Sequence, residues 1–216
     1  MNFTERSVNL VVAAIKSYGP SRLKKYLWDK EFSGTKWNFI DNTAGDCIYE
    51  TLEKYARNGS ILDLGCGPGN TANEVAFNSY QQYVGVDISE AALEKARRRT
   101  LESGRSAKNT FVQGDFVNYE PIQKFDVILF RESMYHVPMG KIKATLDRLS
   151  SYLKEDGVFI VRMFTGDDWE GGKRNKPRPL AMISILETEF EVVKKRNYER
   201  RGDPHVLVLR PALVRK

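Results

Sequence analysis

A chain of 216 residues can bury one substantial core but is too short to favour a second full domain. Hydrophobic residues at 41% and charged residues at 29%, with 3 Trp, 10 Tyr and 11 Phe, exclude a disordered polymer. The net charge of +6 admits an anionic partner, but no apolar run approaches the roughly 18 residues of a membrane span, Val127 to Phe130 and Val158 to Val161 having only buried-strand length.

At the N-terminus Glu5, Arg6 and Asn9 interrupt any continuous apolar stretch, so no signal peptide is expected. With only Cys47 and Cys66 in the chain, the expectation is a reducing cytoplasm, both thiols free and no metal centre. Helices are predicted at Val8 to Ser17, Ser21 to Trp28 and Thr43 to Ala56, broken by Gly19-Pro20 and Ser33-Gly34. Tyr18, Tyr26, Trp28, Phe32, Trp37 and Phe39 make residues 1–57 an aromatic-rich cap, either a lid or plain cover for one edge or face of a core spanning 58–216.

From there short apolar runs alternate with helical segments, the pattern of an α/β protein whose sheet is covered on both faces. Strands are predicted at Ser60 to Leu64, Gln82 to Val86, Thr110 to Val112, Phe125 to Phe130, Gly157 to Phe164, Phe190 to Arg196 and His205 to Arg210. Between them Ser89 caps a helix running toward Gly104, and Ile142, Leu146, Leu149 and Leu153 form one helical stripe ending at Gly157. Leu180, Ile183 and Leu186 mark a shorter helix after Pro177 and Pro179. Arg97 to Arg99 and the segment from Lys173 to Arg201, with nine basic residues against four acidic, read either as solvated faces or as a nucleic-acid footprint. Solvated faces are preferred, because the runs lack the interleaved aromatics on which single strands stack.

The densest signal is Ile61-Leu62-Asp63-Leu64-Gly65-Cys66-Gly67-Pro68-Gly69, an apolar strand entering a glycine turn before a helix near Asn70. Glycines are needed where the backbone turns sharply and a ligand approaches main-chain atoms. A dinucleotide loop would place its third glycine one position later, at Asn70, and an acidic Asp63 suits a cationic ligand better than a diphosphate.

This run resembles the first motif of the class I S-adenosylmethionine-dependent methyltransferases, and three further motifs follow in family order: Gly85-Val86-Asp87-Ile88-Ser89, Gln113-Gly114-Asp115-Phe116 and Phe125 to Phe130. The resemblance covers residues 60–164 and implies a Rossmann-like, doubly wound, seven-stranded and mostly parallel sheet with an antiparallel last strand. It further implies that Asp63 and Gly65 lie under the cofactor's methionine end, and that Gly67 and Gly69 let the loop pass beneath it. Asp87 would hold both ribose hydroxyls by bidentate recognition of a cis-diol. Ile88 would pack on the adenine, with Asp115 and Phe116 reading its edge. Cys66 and Arg131 fall within the same implied cofactor set, as does Trp37, which follows an aromatic-acidic stretch, Trp28 to Phe32, found in several branches. Ordinary packing stays open for Ile88, Phe116 and Trp37, and Cys66 reads as a small filler.

Methyl transfer from a sulfonium needs a nucleophile held about 3 Å from the methyl carbon and water excluded. A base for a hydroxyl or amine acceptor is expected just after the fourth strand, in Arg131-Glu132-Ser133-Met134-Tyr135-His136-Val137. His136 is the first candidate, with Tyr135 and Glu132 behind it, and a purely structural His136 stays open; His205 reads as structural. The loop Thr165 to Lys173, with Asp167, Asp168 and Trp169, is a candidate substrate clasp. The expected reaction is methylation of an oxygen or nitrogen of a small molecule, yielding S-adenosylhomocysteine. Protein or RNA methylation through the basic C-terminal third is the alternative, and a binding module without catalysis a third reading.

Overall fold

The computed structural model describes residues 3–34, 37, 43–164, 177–196 and 204–212. In chain order the helices are α1 (Phe3–Tyr18), α2 (Ser21–Ser33), α3 (Ile48–Ala56), α4 (Asn70–Glu74), α5 (Glu90–Glu102), α6 (Ile142–Ser150) and α7 (Pro177–Glu189). The strands are β1 (Gly59–Leu64), β2 (Tyr80–Asp87), β3 (Asn109–Gln113), β4 (Phe125–Arg131), β5 (Leu153–Phe164), β6 (Phe190–Arg196) and β7 (Pro204–Pro211).

They form one sheet in the order β3-β2-β1-β4-β5-β7-β6. Neighbours from β3 to β5 are parallel, and β7 runs antiparallel to both β5 and β6. The α/β class, the seven strands and the antiparallel last strand are therefore those implied by sequence. Strand order reverses between β1 and β4, which opens a crevice at their carboxyl ends where open α/β sheets bind ligands.

Period-two alternation sorts each strand between two cores. Leu62, Leu64, Ile128, Phe130, Phe159 and Val161 face one way and pack with Leu146 and Leu149 of α6 and Met182 and Leu186 of α7. Ile61, Val127, Leu129, Val158 and Ile160 face the other way, against Ile48 and Leu52 of α3 and Leu93 and Ala96 of α5. By this packing α3 belongs to the sheet, and only α1 and α2 stand apart as a cap. α5 starts where sequence placed it, the Ser89 hydroxyl accepting from the Ala92 amide at 3.2 Å.

Two boundaries differ from the sequence expectation. The segment from Thr43 is not helical until Ile48, because Asp46 turns back to receive the Ile48 amide at 3.1 Å. Leu153 is not the last residue of the α6 stripe: the helix closes at Ser150, and Leu153 pairs with Phe125 at the start of β5. It is buried in the same apolar cluster as Leu146 and Leu149, which is why its spacing mimicked a helix. Among the described residues no helix is long and apolar enough to cross a membrane.

Candidate functional site

β1 ends in a turn that alanine could not make. Gly65, Gly67 and Gly69 hold φ of +84°, +52° and +76°. A Cβ on Gly65 would lie 2.5 Å from Ser133 Cβ, and one on Gly69 2.7 Å from Ala96 Cβ. The turn is thus wedged between the β4 exit and α5, with no room for a side chain at Gly65 or Gly69.

Asp87, at the end of β2, locks this turn. One carboxylate oxygen accepts from the Gly67 amide and the other from the Ser89 amide, both at 2.9 Å. Burial pushes its carboxyl up to about 6, against the pull of those amides. Asp63, one strand over, is 1% exposed and receives the Tyr83 hydroxyl on Oδ2, while its buried Oδ1 has no hydrogen-bond partner. Its carboxyl is also pushed up to about 6 by burial, with Tyr83, Arg131 and Thr71 pulling it down.

These groups line a cavity of about 340 Å³ above the carboxyl ends of β1 and β4. Of the sequence candidates, Asp63, Gly65, Cys66, Gly67, Asp87, Ile88, Asp115, Phe116, Arg131, Trp37 and His136 line it, together with Glu132. Gly69 and Tyr135 are not in the wall: Gly69 shapes the turn from behind, and the Tyr135 hydroxyl donates to Glu132 at 2.7 Å and to the Phe164 carbonyl at 2.9 Å. Burial and the neighbouring Glu132 raise the Tyr135 phenol well above its ordinary value, so it does not present a phenolate to the cavity. Burial, with Asp87 and Asp63 nearby, likewise raises the Cys66 thiol. The loop Thr165 to Lys173 lies outside the described residues, as do Phe39 and the two ends, 173–176 and 197–201, of the basic segment.

The roof is the cap. Trp28, Phe32 and Trp37 cluster with ring centroids 5.9–6.0 Å apart, and the Trp37 indole N–H donates to Glu31 at 3.1 Å. Lys16 of α1 lies 3.6 Å above the Trp28 ring and 2.7 Å from Glu31. The His136 ring meets Trp28 edge-on at 5.0 Å, joining the roof to the β4 exit. α2 is pinned at two carboxylates: Asp29 accepts from the Ser89 hydroxyl at 2.8 Å and the Ala91 amide at 3.2 Å, and Asp115 accepts from Lys24 at 2.9 Å and Ser21 at 3.0 Å.

The far wall is a buried ion network. Asp46 bridges Arg131 at 2.8 Å and Arg162 at 2.9 Å, residues paired across β4 and β5. Burial alone would raise the Asp46 carboxyl, but Arg162 and Arg131 outweigh it and hold the group below its usual range. Arg162 also pairs with Glu132, whose φ of +55° is a left-handed conformation rare outside glycine and whose carboxyl burial raises. Sequence reasoning missed Lys24, Asp46, Ser133 and Arg162 as part of this site. A lone arginine inside the apolar run from Val158 to Met163 was the available signal, since a charge there must be paired.

The donor set fits a cationic adenosyl sulfonium: the buried carboxylates Asp63 and Asp87 line the cavity with no direct ion pair among the described residues, and Asp63 Oδ1 is an unused acceptor. Three comparisons with known proteins bear on this. A family model described as "Methyltransferase domain" matches residues 56–196, more than half of the chain. Thiocyanate methyltransferase 1 of Brassica oleracea is 30% identical over 156 residues, covering 67% of this chain and 68% of its own. A sterol 24-C-methyltransferase of Aspergillus fumigatus is 28% identical over 64% of this chain, but the match spans only 38% of that enzyme's length. Among solved structures, the N-methyltransferase NodS from Bradyrhizobium japonicum, in complex with S-adenosylhomocysteine, superposes with a TM-score of 0.66 over 87% of this chain and 98% of its own, at 15% identity.

Proposed function

Because the chain belongs to the class I S-adenosylmethionine-dependent methyltransferases, we propose that it methylates an oxygen or nitrogen atom of a small-molecule acceptor. The observation that carries this reading is the docked cap. With α2 fastened at Asp29 and Asp115 and its aromatic face over the glycine turn, the cavity is a roofed pocket whose volume of about 340 Å³ suits a small molecule. The relatives named for thiocyanate and sterol substrates support a small acceptor. Two free cysteines suit a reducing cytoplasm as the working compartment.

When bound, S-adenosylmethionine supplies a methyl group on a positive sulfur, which leaves as the thioether of S-adenosylhomocysteine. Asp87 is assigned to the ribose hydroxyls, Ile88 and Phe116 to the adenine faces and edge, and Asp63 to the ammonium through its unpartnered oxygen. An ionised carboxylate offers about four acceptor positions, and on Asp115 three are filled by Lys24, Ser21 and the Val117 amide. One position is left for the adenine amino group. Arg131, tied to Asp46, supports the chamber floor beside Thr71, and Trp37 roofs it. His136, held edge-on by Trp28, is assigned as the base that removes the acceptor's proton.

The test is a screen of metabolite pools with methyl-labelled cofactor, followed by mass spectrometry. Label in a low-molecular-weight product supports the reading; label confined to protein or RNA overturns it.

A further inference from the structure

The hydroxyl of Ser133 is the one polar group of the β4 exit that nothing yet described employs. Ser133 is 4% exposed, lines the chamber, and its Oγ is buried without a hydrogen-bond partner. Such a group has lost its hydration with nothing in return if it stays unpaired. An ordinary remedy is within reach and is not taken. Ser133 precedes the short helical turn Met134 to His136, the position at which a serine hydroxyl normally caps the free amides, yet its side chain makes no capping bond. Only its backbone carbonyl serves that turn, accepting the His136 amide at 3.0 Å.

What aims the side chain elsewhere is the residue before it. Glu132 is held at positive φ by three anchors, Arg162, the Tyr135 hydroxyl and the Phe164 amide. Strain of this kind persists only where the surroundings over-determine it. Its consequence is that Ser133 is packed against Gly65, close enough that a Cβ on the glycine would collide with its own. The hydroxyl therefore stands where the cofactor turn meets the wall that carries His136.

We propose that Ser133 is an acceptor-positioning residue whose hydroxyl pairs with the reacting atom of the incoming acceptor and turns its lone pair toward the methyl carbon. A hydroxyl can donate to an acceptor oxygen or receive an amine N–H, so it serves either atom. In both cases one lone pair is left for the new bond to carbon and one proton is left for His136. The inference rests on the methyl-transfer reading above but not on the acceptor's size.

The test is Ser133→Ala with three readouts. Without ligand, the melting temperature is expected to stay constant or rise, since an unpaired buried hydroxyl has been removed. The affinity for S-adenosylhomocysteine by calorimetry is expected to stay within twofold. Turnover with whichever acceptor takes label from the wild-type protein is expected to fall at least tenfold in kcat/KM. A lower melting temperature, a loss of product affinity that matches the loss of rate, or unchanged kinetics would each overturn the assignment. Label going to a macromolecule in the wild type refutes the small-molecule acceptor instead, and leaves the ratio of variant to wild type as the measure of Ser133.

Discussion

Lys24 of α2 and Asp115 beyond β3 face each other at 2.9 Å, each side chain only 10% exposed, across 91 residues of sequence. The pair joins the cap to the part of the site assigned to adenine. Opening the chamber therefore means breaking a nearly buried ion pair as well as separating aromatic rings.

Lys24→Ala should consequently loosen the cap. Removing one partner strands the Asp115 carboxylate, at a cost of about 1–3 kcal/mol in a site this enclosed. Dissociation of S-adenosylhomocysteine, followed by stopped-flow fluorescence of the tryptophans in the roof, is expected to become several-fold faster. An unaltered off-rate would mean that α2 does not gate exchange.

Asp87→Ala removes both the proposed ribose acceptor and the bonds that lock the glycine turn. Calorimetry is expected to show S-adenosylmethionine binding weakened by about 1.5–3 kcal/mol. Unchanged affinity contradicts the ribose assignment.

Asp63 and Asp87 both carry carboxyls raised to about 6 from an ordinary 3.8. Between those values the folded protein binds more protons than the unfolded chain, so the contribution of these two groups to stability falls as pH rises from about 4 to about 6. A cationic ligand has the opposite preference and binds best once both are ionised. The thermal-shift gain with S-adenosylmethionine is thus expected to be larger at pH 7.5 than at pH 5.5. In ligand-free protein, Asp63→Asn should remove part of the decline between pH 4 and 6. A ligand gain independent of pH would sink the charge argument.

Asp46→Ala leaves two buried guanidinium groups, Arg131 and Arg162, without their shared partner. Urea unfolding is expected to show a loss of about 3–5 kcal/mol. A loss below about 1 kcal/mol would show that water reaches this wall and that the network is surface-like.

The parts of this site legible in sequence are those that physics confines to a few consecutive residues. Gly65, Gly67 and Gly69 announce a turn because only glycine tolerates its dihedrals, while Asp87, which ends β2, and Asp115, two residues past β3, are marked by the order of motifs in the family resemblance. Lys24, Asp46 and Arg162 carry no such mark. Each finds its partner 85 to 116 residues away in sequence, through a tertiary approach that no local period encodes. Leu153 failed for a related reason: an apolar residue bound for the α6 cluster satisfies the same spacing whether it arrives by helix or by strand. Tyr135, a titratable group beside His136, is held behind the cavity wall by its hydrogen bond to Glu132, a pairing invisible until φ at Glu132 is known.

β7 lies inside the sheet, hydrogen-bonded to β5 on one side and to β6 on the other, although it is the final strand in chain order. A ribosome must therefore release residues 204–211 before β5 gains its second neighbour or β6 gains any. Until then the nascent polypeptide exposes the edge of a strand rich in valine, isoleucine and phenylalanine, the kind of edge that invites intermolecular pairing. Truncation ahead of residue 204 should accordingly yield aggregates, seen by light scattering, rather than a weakened catalyst.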